Sequence, residues 1–309
     1  MEPLTFCPVY MERVWGGREL ARVYGRKLPS ADKPYGESWE IVDREAEQSV
    51  VSDGPLAGTT LHELWTRHHE EIFGKGLPEH PRFPILIKIL DARDYLSIQV
   101  HPPKALAPQL GGEPKTEMWF IASCDADAKL YVGLKNGVTR GDFEQAIANG
   151  TVADVVHAIH PKPGDSIFIP SGRLHAIGAG FLIYEIQQNS DTTYRVFDWN
   201  RLGLDGKPRQ LHVEQSLASI DFNDFEPGMD EPAGETLAAC EYFKTAKKLL
   251  EPGATIGNPA DQFSILSVVD GLLESEGGRK FDKGDFMLLP RGGAPLTAVK
   301  SSMVLQITL

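Results

Sequence analysis

A chain of 309 residues, 41% hydrophobic and 24% charged, is long enough to bury one or two cores without covalent staples. Its formal net charge of -12 argues against nucleic acid as a partner, because phosphate-backbone binding needs a basic face. The three cysteines, Cys7, Cys124 and Cys240, lie far apart and form no CxxC pair, so neither a disulfide framework nor a thiolate metal site is expected. Glu2, Glu12 and Arg13 interrupt any leader-like apolar run, and the apolar run 83–90, with Lys88 inside it, is too short to span a bilayer. A cytoplasmic protein without membrane association is the expectation.

Short segments rich in β-branched and aromatic residues predict strands at 38–42, 85–90, 95–100, 118–122, 166–170, 182–187 and 194–198. Glycine, proline or aspartate punctuates most of them, which predicts a sandwich or barrel. Between them, 60–73 sets Leu61, Leu64, Trp65, His68 and Ile72 on one helical face, with Thr60 as N-cap and Glu63 three residues on. The stretch 139–159 reads as two short helices broken near Gly150, and 212–219 as a last short one. Gly164-Asp165 followed by an apolar strand and Pro170 returns as Gly284-Asp285 and Pro290 at the same offset. Two related β-domains follow from that repeat. Their expected bounds are 1–222 for a metal-binding domain with helical additions, 223–236 for a Glu/Asp/Pro/Gly-rich linker, and 237–309 for a degenerate second copy.

The first copy extends into the pattern G-x5-P-x-G-x2-H through Gly164, Pro170, Gly172 and His175. It resembles the second signature of the cupin superfamily, small β-barrels that hold a metal in their mouth. The resemblance implies a mainly β fold of two cupin-type β-barrel or jelly-roll domains with a few helices. Upstream, Gln99 and His101 alternate with Ile98 and Val100, so a strand turns both polar side chains one way. Lys115 and Glu117 share a face in the same manner. Taken singly, His101 before two prolines fits a loop histidine and Glu117 a strand-end charge. Together Gln99, His101, Glu117 and His175 offer two imidazoles, a carboxylate and an amide, a set suited to zinc, manganese or iron with a position left open.

These residues resemble type I phosphomannose isomerase in its short bacterial form. Val14-Trp15-Gly16-Gly17, Gly36-Glu37-Ser38-Trp39 and Pro84 to Lys88 carry that resemblance, with 97–103, 115–117, 170–175 and 185–195. It runs through most of 6–220 and fades afterwards. It implies one zinc ion on Gln99, His101, Glu117 and His175, and a sugar phosphate against Ser97, Lys115, Asp191 and Arg195. The implied reaction interconverts mannose 6-phosphate and fructose 6-phosphate, with Arg195, Lys115 and Glu185 as the catalytic set. Lys115 and Glu185 both remain candidates for the proton carrier. Arg195 has a structural alternative in pairing with Asp191 or Asp198, and Arg173 is a third candidate cation beside the metal. Glu37 and Trp39 carry no assigned role. A metal cupin acting on another sugar, or a sugar-binding regulatory cupin without turnover, are the rival readings. The second domain has Pro295 where the first has His175, and no histidine follows His212, so it is expected to be structural. A monomer or homodimer is expected.

Overall fold

The computed structural model describes residues 1–309. The chain begins with β1 (Val9–Gly17), α1 (Glu19–Tyr24), β2 (Tyr35–Ile41), α2 (Leu61–Arg67), α3 (His69–Ile72) and β3 (Ile85–Ala92). It continues with β4 (Ile98–Val100), β5 (Glu117–Cys124), β6 (Leu130–Leu134), α4 (Arg140–Asn149), β7 (Val156–Ile159) and β8 (Ser166–Ile169). Then come β9 (His175–Ile177), β10 (Phe181–Gln188), β11 (Tyr194–Phe197) and α5 (Val213–Ser219). The last part is all strand: β12 (Thr236–Ala239), β13 (Lys244–Leu250), β14 (Thr255–Ile256), β15 (Ser264–Asp270) and β16 (Leu272–Glu274), followed by β17 (Lys280–Asp282), β18 (Phe286–Leu289), β19 (Leu296–Ala298) and β20 (Ser302–Thr308). No helix is long and apolar enough to cross a membrane.

Each expected strand forms, with its ends displaced by a few residues. One expected helix does not. Gly150, at φ 70°, ends α4, and after a single 3-10 turn at Val152–Asp154 the chain becomes β7. The β-branched pair Val155-Val156 and Ile159 fits a pleated edge, and Ile159 pairs with Leu130 of β6. Thr60 caps α2 as the spacing predicts: its hydroxyl accepts the Glu63 N–H at 3.1 Å while the Glu63 carboxylate accepts the Thr60 N–H at 3.1 Å. His68, at φ -121°, then separates α2 from α3.

Two compact units share the chain, and neither is contiguous. One comprises 10–38 and 88–230, the other 1–9, 39–87 and 231–309. The last junction falls between Asp230 and Glu231. The segments 1–9 and 39–87 group with the C-terminal strands, and the unit boundary falls inside β2 and β3.

In the first unit, a six-stranded sheet of order β1-β2-β3-β10-β5-β8 and a five-stranded sheet of order β11-β4-β9-β6-β7 form two layers. Trp15, Leu90, Trp119, Ile121, Ile167 and Ile183 of the larger sheet pack with Leu130, Val132 and Ile177 of the smaller. The other side of the smaller sheet, through Ile98, Val100, Tyr194 and Val196, is covered by α4 and α5. The second unit repeats the plan with β12-β13-β20-β15-β18 and β14-β19-β16-β17. Leu266, Val268, Met287 and Val304 there meet Leu273, Phe281 and Leu296. Trp65 of the 39–87 segment meets Phe73 and Phe83 edge-on, and both phenylalanines meet Phe263 edge-on, Phe73 and Phe263 lying 5.0 Å apart.

The sequence repeat is a repeat of hydrogen bonds. Gly164 N–H donates to Ile121 O and Asp165 O accepts from Ile121 N–H, while Asp165 Oδ2 accepts from Lys162 N–H. Gly284 and Asp285 make the same three bonds with Val268 and Asp282. Both glycines hold φ near +90°, a conformation closed to side-chain-bearing residues without strain. A Cβ on Gly164 would meet nothing within 4 Å, so only backbone strain opposes it. Gly164→Ala should therefore lower unfolding free energy by about 1–2 kcal/mol in a denaturant titration, with no change in the slope of the transition.

Candidate active site

Strand register assembles the site from two sheets of the first unit. On the smaller sheet, Arg195 of β11 lies opposite Gln99 of β4, and Gln99 lies opposite His175 of β9. These three side chains therefore stand in a row. On the larger sheet, Glu185 of β10 lies opposite Trp119 of β5, and Gln187 opposite Glu117. Trp119 belongs to the core between the sheets, so the strand alternation turns Glu117 and Glu185 inward with it. His101 follows β4 directly, its carbonyl held by the Gly172 N–H at 2.9 Å. The bend at Pro170–Gly172 thus fixes one histidine while it aims the other.

Both imidazoles are oriented from behind. His101 Nδ1–H donates to the Thr192 carbonyl at 2.8 Å, and His175 Nδ1–H to the Arg173 carbonyl at 2.9 Å. Each Nε2 lone pair is left facing Glu117, at 3.6 and 3.7 Å from its two oxygens. The ligand atoms of His101, Glu117 and His175 lie within 4.8 Å of one another, and all three residues are buried. Burial, helped by the charge of Lys115, lowers the His101 imidazole to about 4, and burial lowers His175 as well. Burial alone would raise the Glu117 carboxyl, but Lys115, His101 and His175 outweigh it and hold it well below the carboxylate range. Two neutral imidazoles and one carboxylate therefore coexist at neutral pH.

His101 Nε2 and Glu117 Oε1 have no hydrogen-bond partner despite complete burial. An acceptor left so carries a desolvation cost of about 1–3 kcal/mol. A divalent cation among them removes that cost, and the back-bonded histidines are the arrangement metal ligands adopt. The Gln99 amide stands beside the trio, its Nε2 3.3 Å from His175 Nε2 and its Oε1 accepting from Ser97 Oγ at 3.0 Å. A half-turn of the amide presents the oxygen instead, with the Ser97 hydroxyl then accepting. The residues present fit a divalent transition metal with an open position.

A cavity of about 530 Å³ opens beside this trio. Ser97, Gln99, Lys115, Glu185, Asp191 and Arg195, all expected at the site, line it. Lys115 Nζ stands 2.8 Å from Glu117 Oε2 and 3.7 Å from Glu185 Oε1. Burial would lower this lysine, yet the two carboxylates raise it above its ordinary value. Arg195 pairs with neither Asp191 nor Asp198: its Nη1 donates to the Gln210 carbonyl and its Nε has no partner. Asp198 is instead held by Arg201 and Arg209. Arg173 is not a cation of the site. It forks onto Asp224 at 2.8 and 3.0 Å and donates to the Phe168 carbonyl.

Residues unassigned from sequence also reach the cavity. Lys88, buried on β3, places Nζ 3.2 Å from Glu185 Oε1 and 4.0 Å from Glu37 Oε2. Glu37 in turn is gripped in bidentate fashion by Arg13. A lysine inside the apolar run Ile85-Leu86-Ile87-Lys88-Ile89-Leu90 was the available signal, since a charge there must be paired. Arg209 and His212 line the cavity from the segment after β11. Trp39 is buried and does not line it.

Two antiparallel layers that enclose two histidines and a carboxylate beside a charged cavity define a cupin-like protein with a candidate metal site. The chain belongs to the type I phosphomannose isomerase family. The model of that family's catalytic domain, "Phosphomannose isomerase type I, catalytic domain", matches residues 4–118. The chain is 39% identical over 303 residues to the mannose-6-phosphate isomerase ManA of Bacillus subtilis, covering 94% of each. It is 36% identical to the mannose-6-phosphate isomerase of Streptococcus mutans, covering 94% of this chain and 92% of that one. The crystal structure of the mannose 6-phosphate isomerase from Bacillus subtilis superposes over 100% of both chains, with a TM-score of 0.88 and 33% identity.

The metal fit has a readout independent of turnover. Adding a divalent transition metal to chelated protein should raise Tm, because the ion binds the folded trio and not the dispersed ligands. His101→Ala should abolish that rise and reduce retained metal at least ~10-fold in elemental analysis.

Proposed function

We propose that this chain interconverts mannose 6-phosphate and fructose 6-phosphate through an enediolate, with zinc as its metal, in the cytoplasm. Membership of the family supports the reaction, and three free cysteines suit a reducing compartment. The observation that carries the reading is Glu185. Its carboxylate is buried between Lys88 and Lys115, and the residue lines the same cavity as Arg195.

Aldose–ketose exchange requires a proton to leave C2, a weak carbon acid, and to arrive at C1, while the hydroxyl proton passes from O2 to O1. Glu185 takes the carbon-bound proton and returns it one carbon along. Lys115 is the poorer base, since Glu117 and Glu185 hold it protonated; its N–H groups serve the substrate oxygens as donors. Arg195 presents a planar fork to the phosphate, with Asp191 across the cavity for a sugar hydroxyl. Ser97 steadies Gln99. A divalent cation on Gln99, His101, Glu117 and His175 supplies Lewis-acid stabilisation of the enediolate charge. The C-terminal strands 237–309, which hold no histidine, have a structural role.

A coupled assay for fructose 6-phosphate formed from mannose 6-phosphate tests the whole reading. Activity should vanish with chelator and return with zinc; metal-loaded protein that binds mannose 6-phosphate but forms no product would overturn it. Glu185→Gln should lower kcat at least ~100-fold with metal content retained, as expected for loss of a general base. Near-normal turnover by that variant removes Glu185 from the role and returns it to Lys115.

A further inference from the structure

A glutamate ends in a torsion with a broad, two-fold preference, so its carboxylate plane is not set by its own rotamer. Glu185 illustrates the difficulty. Its Oε1 lies between two ammonium groups, Lys88 Nζ at 3.2 Å and Lys115 Nζ at 3.7 Å. Either oxygen could satisfy those charges, and a rotating carboxylate would present the cavity with no fixed proton acceptor. The second oxygen is where the degeneracy is broken. Glu185 Oε2 accepts the indole N–H of Trp119 at 3.1 Å, between two buried residues directly opposite across the β5–β10 ladder.

We propose that Trp119 is a positioning residue for the isomerisation: its indole N–H pins Glu185 Oε2 and so fixes the plane of the carboxylate that carries the proton. This rests on the reading of Glu185 as proton carrier. The indole donates once and accepts nothing, so it fixes the carboxylate without competing for the transferred proton. Its ring also meets His175 edge-on, with centroids 5.4 Å apart. His175 is oriented independently by its bond to the Arg173 carbonyl, which separates the two effects of the side chain. The tryptophan lies in the core and does not line the cavity, so it acts through a neighbour and not on the substrate.

The test is a double-mutant cycle on metal-loaded protein. Kinetics and metal content are measured for wild type, Trp119→Phe, Glu185→Gln and the double variant. Phenylalanine keeps an aromatic ring against His175 and removes the donor. Trp119→Phe should lower kcat about 10-fold or more, because small misplacements of a reacting group carry losses of that order. KM should stay within about twofold and metal content unchanged. In the Glu185→Gln background the same substitution should cost nothing further, since residues acting through one group are not additive. Equal fold-losses in both backgrounds, a kcat within about twofold of wild type, or a loss that tracks lost metal would each overturn the positioning role. Normal turnover by Glu185→Gln alone would instead remove the proton carrier itself, and the positioning role with it. Should Trp119→Phe fail to fold, benzothienylalanine in place of Trp119 keeps the bicyclic volume and deletes the N–H; the same outcomes then apply.

Discussion

Four ionised side chains, Glu117, Lys115, Glu185 and Lys88, lie at 5% exposure or less inside one β-sandwich. A single carboxylate or ammonium placed alone in such an interior costs several kcal/mol even after relaxation. They are tolerated because their signs alternate, with gaps of 2.8, 3.7 and 3.2 Å along the series. Glu37 and Arg13 continue the alternation towards the cavity's other wall. Every member is therefore neutralised by its neighbours, and deleting one leaves the next two unbalanced. The site geometry follows from this constraint, since the strands must hold a register that keeps opposite charges adjacent. It also reconciles an acidic chain with an anionic substrate: cations are concentrated at one place, and carboxylates keep them there.

The parts of the site visible in the sequence are those encoded within one strand. Gln99 and His101 alternate with Ile98 and Val100, and Lys115 alternates with Glu117, so each pair shares a side before any fold is known. The Gly-Pro-Gly-His run placed His175 by its bend. The rest of the site depends on which strands become neighbours. Lys88 and Glu185 are nearly a hundred residues apart, and only the sheet order β3-β10-β5 brings them together. Trp119 reads as one more large apolar residue in the run 118–122; its N–H acquires a purpose only once Glu185 stands opposite. Arg173 failed for the converse reason. Closeness in sequence to His175 suggested a shared site, but the bend at Gly172 sends the guanidinium to Asp224.

The second unit separates what the Gly-Asp turn does from what the histidine does. Gly284 and Asp285 reproduce the hydrogen bonds of Gly164 and Asp165, and β15, β18 and β20 take the places of β5, β8 and β10. No imidazole follows His212. The turn is thus a device for launching a strand, sufficient for the fold and indifferent to the chemistry. The candidate metal ligands are laid over that scaffold.

The interleaving of the two units in sequence bears on how the chain is made. Residues 39–87 are synthesised early, yet their aromatic group, Trp65, Phe73 and Phe83, closes on Phe263. Leu4 likewise waits for Leu288, its bridge partner. The segments of the metal-site unit are all present once residue 230 has left the ribosome, whereas 39–87 must remain uncovered for tens of residues more. At about 5–20 residues per second that delay lasts seconds. During this interval the nascent chain carries a fully translated sandwich interrupted by an unpartnered aromatic loop, the state most in need of protection from self-association.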